Sequence, residues 1–176
     1  LTDGNPDQSG SYDFKGMFSP KFGISHVFTE NISVYSNISH GFSPPSTAET
    51  LLPDGLINTN IKPETGWNFE VGTRSSFINN RLQLNLALYK LDVRNLLVAR
   101  RTGNDQFIGV NAGKTQHNGL EFVLKYQWLQ HETISLNHYI SYTLNDFKFK
   151  DFIDDGNNFS GNKLTGVPSN LLNTGI

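Results

Sequence analysis

Connections between the hydrophobic segments of this chain alternate strictly between short and long, and few folds obey that rule. Short polar turns lie near residues 30, 79 and 131, whereas the connections at 43–63, 94–113 and 146–164 are long. In an up-and-down antiparallel meander, every short turn then falls on one edge and every long loop on the other. Transmembrane β-barrels have this asymmetry, and a soluble sandwich has no reason to sort its loops so.

The segments between the turns read as strands because apolar residues recur with period two. Trp67, Phe69, Val71 and Phe77 share one face, opposite Asn68, Glu70, Gly72, Arg74 and Ser76. Leu82, Leu84, Leu86 and Leu88 alternate with Gln83, Asn85, Ala87 and Tyr89. Asn79 and Asn80 between these strands tolerate the positive φ of a tight turn. Leu120, Phe122, Leu124, Tyr126 and Trp128 then oppose Gly119, Glu121, Val123, Lys125 and Gln127. After Gln130-His131-Glu132, Ile134, Leu136, Ile140 and Tyr142 continue the pattern. Upstream, Phe22, Ile24 and Phe28 precede a turn at Thr29-Glu30-Asn31. Ile32, Val34 and Ile38 follow it, with Tyr35 breaking the parity, and a last strand begins near Pro168. The fold class is all-β: an antiparallel meander of about seven strands, each long enough to cross a bilayer at ~45° tilt with ~10 residues.

Composition agrees. Charged residues are 17% and aromatics 12% of the chain, and mean hydropathy is −0.39. Low charge without high hydropathy means many neutral polar residues, as expected where one face of each strand meets lipid and the other water. A net charge of −2 offers no basic excess for nucleic acid, and the absence of cysteine excludes disulfides and thiolate metal sites. The five histidines show no i, i+2 or i+4 pairing, so no resident metal or other cofactor is expected. Asp151-Phe152-Ile153-Asp154-Asp155-Gly156 fails as a calcium loop, because Ile153 takes a ligand position and Asn162 stands where a bidentate Glu belongs. No G-x-S-x-G, P-loop or H-E-x-x-H motif is present, and an enzyme is not expected. The opening Leu-Thr-Asp-Gly-Asn-Pro is neither a signal peptide nor an initiator Met, which suggests a piece of a longer precursor.

Several segments carry a family resemblance. Phe18-Ser19-Pro20-Lys21-Phe22-Gly23-Ile24 looks like an "SPK-hydrophobic-G" strand opening. Tyr35 to Ser46 resembles "Y-x-x-x-S-x-G-F-x-P-P", with His40 where Arg is common. Ile61-Lys62-Pro63-Glu64 followed by Asn68-Phe69-Glu70-Val71-Gly72 is similar to "L-K-P-E … N-x-E-x-G". Asn111-Ala112-Gly113 with Gly119-Leu120-Glu121 resembles "N-x-G … G-h-E-h", where h is hydrophobic, and Gly166-Val167-Pro168 resembles a later "G-x-P". In this order the motifs resemble the TonB-dependent outer-membrane receptors, on the ferric-siderophore or ferric-citrate branch.

The resemblance implies that residues 1–176 are part of a receptor barrel of about 22 strands, in the outer membrane of a Gram-negative bacterium. The plug domain and the terminal strands would lie outside the chain. The expected ligand is a ferric chelate, a siderophore or citrate, and the energy would come from TonB acting through an N-terminal region not included. Arg94, Arg100 and Arg101, in a long loop, are candidate chelate ligands, since arginine suits bidentate anionic acceptors. The competing assignment is a solvated loop or contact with anionic outer-membrane lipid. Glu70, Arg74, Glu121 and Lys125 are expected to face the lumen, pairing across strands or with the plug. Trp67, Tyr126, Trp128 and Tyr142 are candidate membrane-interface aromatics, against ordinary cross-strand packing. A partial sheet would also expose two edges and a lipid-facing stripe, so oligomers, detergent binding or aggregation are expected. Two alternatives stand beside this assignment: the same family importing cobalamin or an oligosaccharide, and a soluble extracellular β-sandwich binding module.

Overall fold

The structure is a computed structural model and describes residues 11, 13, 16–102, 106–154 and 156–176. One sheet dominates. Its strands are β1 (Lys21–Thr29), β2 (Ile32–Ser43), β3 (Glu64–Phe77), β4 (Leu82–Arg94), β7 (Lys114–Gln130), β8 (Ser135–Asp151) and β11 (Asn170–Gly175). They lie in chain order, and every neighbouring pair is antiparallel. The meander expected from the alternation of turns is therefore the observed topology. Among the described residues no second sheet covers either face, which overturns the sandwich alternative. The remaining sheets are two-stranded: β5 (Leu97–Arg101) with β6 (Phe107–Asn111), and β9 (Ile153–Asp154) with β10 (Asn157–Asn158).

Strand length sets this sheet apart from soluble ones. β3 has 14 residues, β4 has 13, and β7 and β8 have 17 each, against ~5–6 in typical domains. A 17-residue strand rises roughly 55 Å, well beyond what a tilted bilayer crossing requires. The β3–β4 turn is built from Ile78, Asn79 and Asn80 at φ of 55°, 52° and 67°. The two asparagines meet this demand easily; Ile78 is the surprise, since a β-branched residue resists positive φ.

The long connections are not bare loops. The first holds a helical turn, α1 (Thr47–Thr50), with a Ser46/Glu49 capping box. The second is the β5–β6 hairpin and the third contains β9–β10. The third also begins later than the sequence suggests: β8 runs to Asp151, because its alternation continues after Asn145 with the polar phase reversed. Burial follows the loops. Among the described hydrophobic residues only Ile61 and Ala112 are buried, both within the long connections, whereas Phe22, Phe69, Leu88, Leu144 and Leu172 on the sheet are exposed.

Candidate functional site

Directly opposed residues in antiparallel strands share a face, so the register assigns each side chain. One row runs Ser36–Val71–Leu88–Leu120–Leu144, and the next toward the short turns runs Val34–Thr73–Leu86–Phe122–Tyr142–Leu172. Toward the long loops the same face changes character. Phe69 is followed across the sheet by Lys90, Asn118 and Asp146, and Trp67 by Asp92, Gln116 and Lys148. The opposite face changes in the reverse sense. Asn85, Glu121, Lys125 and Ser141 occupy its lower part, and its upper rows are Leu91–His117–Phe147 and Val93–Thr115–Phe149. Above the level of Leu88, apolar and polar faces have exchanged places on β4, β7 and β8, whereas Phe22, Ile38 and Phe69 keep the first face of β1 to β3 apolar and Asn68 and Glu70 keep the other polar.

The upper polar-face wall is aromatic. His117 stacks on Phe147 with centroids 4.4 Å apart, and Tyr89 meets Phe147 edge-on at 6.5 Å. Phe149, Phe152 and Phe159 continue the series into the third long connection at 4.5 and 5.7 Å. Lower down, tyrosines lie across glycines of the neighbouring strand. Tyr35 opposes Gly72, Tyr89 opposes Gly119 and Tyr139 opposes Gly175. A Cβ on those glycines would come within 2.5, 2.2 and 2.5 Å of the tyrosine rings. Tyr35 therefore does not break the parity of β2; it belongs to the polar face, and the glycine across from it makes room for the ring.

The long connections are clasped together at the strand ends by the residues of two recognised motifs. Asn111 Oδ1 accepts from the Lys62 N–H at 2.8 Å, and its Nδ2 donates to the Lys62 and Asn95 carbonyls, each at 2.8 Å. Glu64 Oε1 accepts from the Leu97 N–H at 2.5 Å, and Asn58 Nδ2 donates to the Gly109 carbonyl at 3.1 Å. Gly113 has φ of 91°, and a Cβ there would sit 1.6 Å from the Asp151 carbonyl oxygen. The Lys-Pro-Glu and Asn-x-Gly segments thus form one joint between the first and second connections. Arg100 Nε reaches Asp154 Oδ1 at 2.8 Å and ties in the third. Sequence reasoning missed this joint and the aromatic wall. The wall had a readable signal in Lys90-Leu91-Asp92-Val93, where the polar phase switches.

The candidates from sequence divide. Glu70, Arg74, Glu121 and Lys125 all lie on the polar face, but none of the ion pairs between described residues includes them. Arg74 instead places its guanidinium 5.0 Å from the Tyr35 ring centroid, with Glu70 beside the same tyrosine. Trp67 is on the apolar face at its long-loop margin, tilted against His40 at 4.9 Å, and Tyr126 and Trp128 meet edge-on at 4.7 Å near the short turns. Tyr142 departs from expectation: its row partners Phe122 and Leu172 set it inside the apolar band, with its hydroxyl donating to Asn170 at 2.6 Å. Arg94 also departs. It ends β4 on the apolar-face side, opposite Thr65 and Lys114, away from Arg100 and Arg101 in β5. Among the described residues no group of three His, Asp or Glu could hold a metal ion. Asp151 and Asp154 are engaged with Lys114 and Arg100, and Asp155 lies outside the described residues.

An open meander of long strands, an apolar outer band and clasped loops at one end define a segment of a membrane β-barrel. Residues 2–176 match the family model described as TonB dependent receptor-like, beta-barrel, and the chain belongs to that family. Its members are transport receptors of the Gram-negative outer membrane, not enzymes. The "Ferric-pyoverdine 358 receptor" of Pseudomonas putida is 30% identical over 82 residues, 47% of this chain and 9% of that protein. The "Probable TonB-dependent siderophore receptor PiuA" of Acinetobacter baumannii is 29% identical over 109 residues, 58% of this chain and 14% of that protein. The crystal structure of the siderophore receptor PiuA from Acinetobacter baumannii superposes with a TM-score of 0.64 at 23% identity, over 88% of this chain and 22% of that one. The chain thus spans only a small part of the proteins it matches.

Proposed function

We propose that this chain forms wall and mouth of an outer-membrane receptor that imports an iron chelate. In this assignment the apolar band faces lipid, the polar face lines the lumen and the clasped connections stand outside the cell. TonB supplies the energy through a region outside residues 1–176. The observation that carries the proposal is the exchange of polarity above Leu88 on β4, β7 and β8. It gives the lumen an aromatic wall of Tyr89, His117 and Phe147 just where an incoming solute would pass below the loops. Flat aromatic and heteroaromatic surfaces stack well on a chelate's apolar or π faces. Arg100, held by Asp154, and Arg101 lie in β5 and add cationic groups among the long connections. Siderophore receptors among the relatives support iron chelates as the solute class.

The test is ligand binding by the receptor carrying this chain, read as tryptophan quenching against a panel of ferric siderophores and ferric citrate, with cobalamin and an oligosaccharide as controls. Saturable quenching by a ferric chelate, weakened about tenfold or more by Phe147→Ala, is the expected result. Response to cobalamin or the oligosaccharide alone would leave the receptor but remove iron from its function.

A further inference from the structure

Solute import through the lumen makes no use of the charged rows on the outer face. Beyond Trp67 on that face come Thr65, Arg94 and Lys114, side by side on β3, β4 and β7. Arg94 and Lys114 are directly opposed, a pairing that like charges destabilise. One carboxylate, Asp151, lies 3.6 Å from Lys114, and Arg94 is exposed with no anionic partner among the described residues. Below them Lys90 pairs with Asp92 at 3.2 Å and Lys148 with Asp146 at 2.9 Å, pairs in which every side chain remains at least 39% exposed. Such exposed pairs contribute little and exchange partners readily.

The depth of this row is set by its neighbours. Leu88, Leu120 and Leu144 end the apolar band, and Trp67 with His40 stands at its margin, where amphipathic rings settle at headgroup level. Arg94 and Lys114 are one row further out, about 7 Å along the strand. The outer face at that height meets lipid headgroups, and the sheet screens it from anything in the lumen. A guanidinium fork beside an ammonium, with Thr65 on the same row, offers adjacent donors to a tetrahedral oxyanion. We infer that Arg94, Lys114 and Thr65 form a docking site for the phosphate of an outer-leaflet lipid, which fixes this side of the barrel in the headgroup layer. The inference rests on the outer-membrane assignment but not on the identity of the imported solute.

The test uses the receptor carrying this chain, with lipid A in detergent and the same lipid stripped of its phosphates as probes. Binding is read by native mass spectrometry and by displacement of a fluorescent lipid A. Each cation near a charged headgroup contributes about 1 kcal/mol. Arg94→Ala and Lys114→Ala should therefore each weaken lipid A binding roughly fivefold, and together about 30-fold. Lys21→Ala, an equal charge loss on the lumen face of β1, should leave it unchanged. Equal binding of the stripped lipid, an unaffected double variant, or inorganic phosphate competing as strongly as the lipid would each overturn the site. Heat-resistant migration of every variant from phosphate-free bilayers checks insertion, and with it the membrane assignment, separately.

Discussion

At the scale of single residues, the sheet is organised by tyrosines resting on glycines. The ring needs the space that a Cβ would take, and in return it covers backbone that glycine leaves open. Gly119 is the tightest case, with an added Cβ 2.2 Å from Tyr89 Cζ. Gly119→Ala should therefore cost about 1–3 kcal/mol as the ring is forced from its place, measured as a lowered urea midpoint in lipid vesicles. Adding Tyr89→Ser should recover most of that loss; a double variant as unstable as Gly119→Ala would assign the cost to backbone strain instead. This arrangement was only half readable in the sequence. Gly72 and Gly119 were visible as polar-face residues, but a tyrosine can be assigned to a glycine only once the register is known. Tyr35 looked out of phase for that reason.

At the scale of elements, the joint between the first two long connections explains why Lys-Pro-Glu and Asn-x-Gly occur where they do. Asn111 alone satisfies one backbone donor and two backbone acceptors. Asn111→Ala leaves these groups without protein partners, at about 1–3 kcal/mol for each that stays shielded from water. Hydrogen exchange should accelerate at 61–62 and 95–97, while β7 between 120 and 126 keeps its protection. Uniform acceleration across both regions would mean that the joint holds the sheet as well as the loops. Gly113→Ala should be worse than Asn111→Ala, because positive φ and the Asp151 carbonyl both oppose a side chain. The strands and short turns were plain from sequence because period-two patterning is local. The clasp was not, since it depends on contacts between segments about 50 residues apart, as Lys62 and Asn111 are, and the helical turn and hairpins were missed although their pairings are local. The same limit misassigned Arg94: its place in sequence suggested a loop, whereas pairing with Thr65 and Lys114 keeps it in the sheet.

At the scale of the whole molecule, a sheet whose largest apolar side chains are exposed has its stability supplied from outside. Among the described residues Ile61 and Ala112 are too small a core for a chain of this size, and in the proposed assignment lipid covers the apolar face while the edges β1 and β11 are left open for pairing. This makes a sharp prediction from two adjacent residues of β7. Leu124 opposes Leu84 and Ile140 within the apolar band, whereas Val123 opposes Asn85 and Ser141 on the polar face, which lines the lumen in the proposed assignment. The substitutions Leu124→Arg and Val123→Arg remove similar aliphatic volume and add the same charge. On the lipid face near the bilayer centre an arginine costs about 2–4 kcal/mol. On the lumen face it has water and the Glu121 carboxylate within reach, so the cost should stay near 1 kcal/mol or less. Reversible unfolding of the receptor in lipid vesicles measures both. Equal costs would mean that water reaches both faces, and a greater cost at Val123 would turn the sheet inside out.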